Sequence, residues 1–237
     1  VGQLRHVTGS GGFPVRSAVS EDGREVIDIM NRSIYTNLLR IVGVVLVLVG
    51  IGALAGGLFA HNYVTGQLKQ ENITMPNQAG IDALADQKDK DALKPFIGEQ
   101  MTTGTQAQAF ANHYIWAHME AAVKAAGLPE GTMYEGVGDK INEHKAALQA
   151  QGKSADEVAK DATVVSLSSL RTTLFQGNTL RAMLLTSYAF WLIGTIALVV
   201  GIALIVVGAA MAVAGFVAAR GQARPLPPEP APARSGA

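Results

Sequence analysis

Residues 41–60 read IVGVVLVLVGIGALAGGLFA, and residues 182–219 read AMLLTSYAFWLIGTIALVVGIALIVVGAAMAVAGFVAA. The first run has 20 residues without a charge. As a helix rising about 1.5 Å per residue it reaches roughly 30 Å, the thickness of a hydrocarbon core. The second has 38 residues, and at about 57 Å as one helix it exceeds what a tilted span hides, so part of it must stand outside the membrane. Tyr188, Phe190 and Trp191 near its front are amphipathic rings of the kind that settle at headgroup level, which places the apolar core of the second span at about 189–213.

Working outward from these runs, the sequence reads as an all-α membrane protein with two antiparallel transmembrane helices and an extracytoplasmic helical domain between them. Residues 1–37 are expected as a disordered cytoplasmic tail, 38–61 as the first transmembrane helix and 62–186 as the external domain. Residues 187–215 are expected as the second transmembrane helix, and 216–237 as a cytoplasmic Pro-rich tail. A cleaved signal peptide competes for the first run. The run is longer than an h-region of about 7–15 residues, and Gly56-Gly57-Leu58-Phe59-Ala60 fits a cleavage site only loosely, so an uncleaved anchor is the better reading. Residues 1–29 have no apolar period and are expected either as part of the tail or as sequence upstream of a start at Met30. The run PLPPEPAPAR over 225–234 is a polyproline-type segment that forms no packed core.

Charge sets the expected orientation. Arg32 and Arg40 flank the start of the first span, and Arg220 and Arg224 follow the second. Segment 61–181 opens without a Lys until Lys69 and holds nine Lys and two Arg against 14 acidic residues, a net charge of −3. Both termini are therefore expected in the cytoplasm, with a multi-pass topology in the plasma membrane.

The whole chain of 237 residues balances 19 Lys+Arg against 19 Asp+Glu, so no global field steers it toward nucleic acid. Its 49% hydrophobic and 16% charged content is that of a membrane protein. There is no cysteine, which removes disulfides, thiolate metal sites and cysteine nucleophiles together.

Glycines recur every seven residues at Gly43, Gly50 and Gly57, and at Gly194, Gly201, Gly208 and Gly215. Such spacing keeps one small-sided seam on each helix in a left-handed crossing, where dispersion between close backbones drives association in lipid. The spans are expected to pack on each other through Gly43, Gly50, Gly57, Gly194, Gly201 and Gly208. Gly52 and Gly56 form a GxxxG that offers a homodimer face instead.

Between the spans, the first helix is expected to run on to about Gln70, and Lys88-Asp-Lys-Asp91 reads as solvated surface. A helix follows from Thr105, capped by Thr103 or Thr105 and stopped by Gly127-Leu-Pro129. Another is expected from about Val137 to Ala150, broken at Gly152. Ser154-Ala-Asp-Glu157 fits a capping box opening a helix that carries on through Val164, Leu167, Leu170 and Leu174, with a turn or kink at Gly177-Asn178.

The chemistry is sparse. His113 and His118 lie five apart, about 140° around a helix axis, and share no ion with Glu120 unaided; they read as surface or packing residues. His61 reads as interfacial and His144 as solvated. No GxSxG, Walker loop or GxGxxG is present in a fitting context. No catalytic residue, metal site or cofactor is expected. Phe110, Tyr114 and Trp116 are candidates for contact with lipid or a small ligand, and Arg171 and Arg181 for contact with anionic headgroups or a partner's carboxylates.

Several stretches carry a family likeness: Gly66-Gln-Leu-Lys-Gln-Glu-Asn-Ile-Thr-Met-Pro76, Gln106-Ala-Gln-Ala-Phe-Ala-Asn-His-Tyr-Ile115, Gly131-Thr-Met-Tyr-Glu135, Ser169-Leu-Arg-Thr-Thr-Leu-Phe175 and Leu180-Arg-Ala-Met-Leu-Leu-Thr-Ser-Tyr-Ala-Phe190. Over residues 38–212 the chain resembles actinobacterial two-span membrane proteins that often carry the automated label "aromatic ring-opening dioxygenase LigA". The resemblance implies architecture and lineage but no mechanism. Extradiol cleavage of the labelled kind needs Fe(II) held by two His and a carboxylate, and no such triad is legible here. The expected function is that of a non-enzymatic integral membrane protein, an accessory, scaffold or assembly subunit of an envelope complex that binds its partner through the external domain. Its expected partners are the lipid bilayer and other membrane proteins or a second copy, with no nucleic acid. The alternative is a lipid or small-ligand binding membrane protein.

Overall fold

The computed structural model describes residues 21–222, with side chains over 30–220. Among them every regular element is helical, apart from one isolated antiparallel bridge between Thr74 and Gln100. The elements are α1 (Glu21–Gln70), α2 (Gln78–Asp82), α3 (Gln87–Leu93) with a 3-10 turn over Lys94–Phe96, and α4 (Gly104–Ala109), which runs through a π-helical segment, Phe110–Ile115, into α5 (Trp116–Ala125). They continue with α6 (Tyr134–Ala150), α7 (Ala155–Lys160) and α8 (Ala162–Gln222). Helices α1 and α8 are long and apolar enough to cross a membrane. The expectations for residues 1–20 and for the Pro-rich run at 225–234 lie outside the described residues.

Helix α1 begins at Glu21, inside the stretch read from the sequence as a disordered tail. Extending an existing helix adds one hydrogen bond for each residue fixed, so the nucleated apolar run carries the helix into sequence with no apolar period of its own. Its other end is set by Asn72, whose φ of +50° takes the left-handed turn that ends the helix.

The described residues fall into two compact units. Of the described residues, the first draws on 21–48 and 205–222, the second on Val49–Leu204. In the first, a Cβ built on Gly43 would lie 2.6 Å from the Gly208 carbonyl oxygen and 2.6 Å from the Ala212 nitrogen. One on Gly215 would lie 2.7 Å from Cγ of Arg40. Arg40 donates from Nε to the Gly215 carbonyl at 3.0 Å, and its guanidinium sits 4.8 Å from the centre of the Phe216 ring.

In the second unit, a Cβ on Gly57 would come 2.7 Å from the Gly194 carbonyl oxygen, and one on Gly201 2.9 Å from that of Gly50. Gly52 and Gly56 differ: nothing lies within 4 Å of a Cβ built on either. The rest of this unit is a helical domain with two apolar clusters. One gathers Val64 and Leu68 of α1, Leu184 of α8, and Met75, Ile81, Leu93, Met101 and Ala107; the other gathers Met119, Val123, Val137, Ile141, Leu167 and Leu174.

Local chemistry sets the domain's helix ends. Thr103 caps α4: its Oγ1 accepts from Gln106 N, while Gln106 Oε1 accepts from Thr103 N. Gly127, at φ +70°, closes α5 with Leu128 N bonded to the Val123 carbonyl, and Gly152, at φ +80°, closes α6 with Lys153 N bonded to that of Leu148.

Two further helix boundaries differ from the sequence reading. The helix opened by the Ser154–Glu157 capping box ends at Lys160. Asp161, extended at ψ 131°, starts a new one by accepting from Thr163 N and Val164 N. A short carboxylate that satisfies the orphan N–H groups of a new helix outcompetes continuation of the old one. At Gly177-Asn178 there is no turn, because α8 passes straight through. The glycine is there for space: a Cβ on it would lie 2.6 Å from Sδ of Met119.

Candidate functional site

Four of the five contact candidates singled out from the sequence meet at the π-helical segment. One extra residue in this turn makes Trp116 N bond back five residues to the Ala111 carbonyl, a geometry that recurs at functional positions. The same carbonyl accepts from Arg181 Nε at 3.0 Å, and Asn112 Oδ1 accepts from Arg181 Nη2 at 3.1 Å. The guanidinium lies 4.4 Å from the centre of the Trp116 ring. Burial pushes the Arg181 pKa down, opposed by the nearby charge of Glu120. Arg181 thus clamps α8 to the π segment from within the domain.

Phe110, Tyr114 and His118 form a ladder on one side of the same helix, with ring centroids 5.0 Å and 4.4 Å apart in turn. His118 Nδ1 lies 2.8 Å from the Tyr114 carbonyl oxygen. Arg171 is elsewhere, on α8 opposite α6. It lies 4.1 Å from the centre of the Tyr134 ring and donates to the Tyr134 carbonyl at 3.4 Å. The five candidate contact residues therefore make two clusters, with Phe110, Tyr114, Trp116 and Arg181 in one and Arg171 in the other.

Other polar residues take partners that a one-dimensional reading does not supply. Asp89, in the run read as solvated, is buried, with its Oδ1 2.7 Å from His113 Nδ1. His144, also read as solvated, is half-buried, with Nε2 3.0 Å from Asp161 Oδ1. His61 stacks on Trp191 at 3.9 Å between ring centres, and its Nε2 lies 3.0 Å from Thr195 Oγ1 and 3.1 Å from the Trp191 carbonyl oxygen. A Cβ on Gly194 would fall 2.7 Å from that imidazole, so the glycine seam makes room for the histidine. Among the described residues no group of three or more His, Asp or Glu side chains is placed to hold a metal ion.

Beside the Asp89–His113 pair a cavity of about 520 Å³ opens. Leu84, Val123, Leu128 and Met133 give it apolar walls, and Asp86, Glu120, Glu130 and Lys124 are among its polar lining. It is large enough for a small ligand or for side chains of a docked protein, and the surplus of carboxylates over Lys124 favours a basic group. No sequence motif marks it, because its walls come from stretches some 30 to 50 residues apart that only the tertiary fold joins.

Comparison with known proteins finds no family model, no curated sequence and no solved structure that matches the chain.

Proposed function

We propose that the protein is a two-span integral membrane protein of the plasma membrane, with α1 and α8 antiparallel across the bilayer, both termini cytoplasmic and residues 62–186 forming an extracytoplasmic helical domain. In this reading the protein is non-enzymatic, an accessory, scaffold or assembly subunit of an envelope complex that grips a partner through the domain, in line with its resemblance to actinobacterial two-span proteins. One observation carries it. Large apolar side chains lie exposed along α1, among them Ile41, Leu48, Ile51 and Phe59, and along α8, among them Ile193, Val199, Val206 and Val213, whereas Leu93, Met101, Val137 and Leu174 of the intervening domain are fully enclosed. Water does not tolerate apolar faces of that extent, and lipid does. The charge asymmetry around the spans supports the orientation.

Purification of the tagged full chain in mild detergent, with sizing and mass spectrometry of what accompanies it, tests the role. A stoichiometric set of membrane subunits is expected; a partner-free monomer would overturn the assembly reading in favour of lipid or small-ligand binding. Orientation has its own test, made clean by the absence of native cysteine. Asp91→Cys, at an exposed position, should react with a membrane-impermeant maleimide on intact cells, and labelling only after lysis would reverse the topology.

A further inference from the structure

A cleft of about 420 Å³ opens between α6 and α8, apart from the π-segment cluster and the Asp89 cavity. Its lining includes the cations Lys145 and Arg171 and no carboxylate. Among the described residues neither cation has an acidic side chain within 4 Å. Arg171 is nonetheless held in place. The Tyr134 ring covers it, its Nε is committed to the Tyr134 carbonyl, and Gly138 of α6 lets it lie against the helix backbone, where a Cβ would come 3.1 Å from Nε and 3.4 Å from Cζ. Its Nη groups donate to no acceptor among the described residues. An ordered guanidinium with its outer edge unspent, beside a second cation, is a seat for an oxyanion.

The hydroxyls in the cleft narrow the ligand further. Ser168 donates to the Val164 carbonyl at 2.7 Å and Thr172 to the Ser168 carbonyl at 3.1 Å. Both protons are committed within α8, so these side chains offer lone pairs and ask for donors. Ammonium donors are disfavoured beside Lys145 and Arg171, so the donors called for are neutral, and hydroxyls are the compact kind that an anionic ligand can carry in number. We propose that this cleft binds a small polyhydroxylated anion, a sugar phosphate or sugar acid, with its charged group on Arg171 and Lys145 and its hydroxyls on Ser168 and Thr172. The volume suits one sugar unit. Phe175, at the cleft's edge, stands 12 residues up α8 from residue 187. At about 1.5 Å per residue this is roughly 18 Å, so a soluble molecule fits better than a lipid headgroup.

Titration calorimetry of the full chain in mild detergent, with glucose 6-phosphate, glucose and inorganic phosphate as probes, tests the proposal. The sugar phosphate should bind at least tenfold more tightly than either part alone. Lys145→Gln and Arg171→Gln should each weaken it at least tenfold. Thr172→Val should weaken the sugar phosphate and leave phosphate unchanged, a separation that general misfolding does not give. Equal affinity for phosphate and the sugar phosphate would overturn recognition of the hydroxyls. Equal affinity for glucose would overturn the anion seat, and no heat from any probe would overturn both. In lipid nanodiscs the affinity should be the same with and without phosphatidylglycerol; competition by that lipid would overturn the soluble source.

Discussion

At Gly57 and Gly194 the backbones of α1 and α8 come so close that a Cβ added to Gly57 would strike the Gly194 carbonyl oxygen at 2.7 Å, and one added to Gly194 would lie 3.2 Å from that of Gly57. Seven residues further along α1, at Val64, and ten back along α8, at Leu184, the same two helices contribute large buried side chains to an apolar cluster. The neighbours differ in kind. Around the glycines Leu58, Phe59 and Ile193 are more than half exposed, while in the domain Leu93 and Met101 are fully enclosed. With the glycine contacts in lipid, as proposed above, each mode suits its solvent. In water, apolar area removed from solvent contributes roughly 25 cal/mol per Å², so large side chains stabilise the contact. In lipid that force is absent and close backbone packing replaces it, so the contact is made with the smallest residue.

The comparison breaks most readily on its aqueous side. Leu93→Ala empties a fully enclosed position and should lower unfolding stability by about 3 kcal/mol, read by denaturation of the full chain in detergent. A loss under about 1 kcal/mol would mean that the domain is looser than its burial implies. On the lipid side, Gly57→Leu should cost about 2 kcal/mol through overpacking, whereas Gly52→Leu, facing open space, should stay within about 0.5 kcal/mol. Equal effects from the two glycines would refute a seam confined to one face.

The smallest effect concerns pH. The Val164 N–H holds the Asp161 carboxyl below the ordinary carboxylate range, with His144 and the Thr163 N–H acting in the same direction and burial opposing them. A depressed carboxylate pKa contributes stability above the unfolded value of 3.8 that is lost as pH falls through the folded one. Asp161→Asn keeps the cap but not the titration, so the loss of stability in acid should be shallower in this variant than in the parent. Identical acid profiles would remove Asp161 from the account.

What the sequence made legible is what local rules govern: the two apolar runs, the Ser154 capping box and the glycine stops at Gly127 and Gly152. It misled where a residue type has two uses. Gly177 reads as a break when only its small size matters, because the Met119 side chain, whose sulfur needs the space, arrives from another helix. Asp161 falls inside the one helix expected from Ser154 through Leu174, although its carboxylate caps a second helix that starts after it. The π turn leaves no trace in residue spacing, and Asp89 and His113 meet across 24 residues. The candidate contact residues were visible as aromatic and basic side chains near a span. Their division into a clamp at Arg181 and an anion seat at Arg171 required the fold.

The unbroken passage of α8 through Gly177 has a mechanical meaning. A helix with a flexible joint between head and stem would let the head nod while the stem stayed still. Here Met119 fills the space beside Gly177, and the Arg181 clamp sits one turn further on, so a pull on the domain is passed to the stem as well. A twist applied to the domain is carried along a stiff shaft to Gly194, where His61, stacked on Trp191 and within hydrogen-bond distance of Thr195, couples α1 to the same rotation.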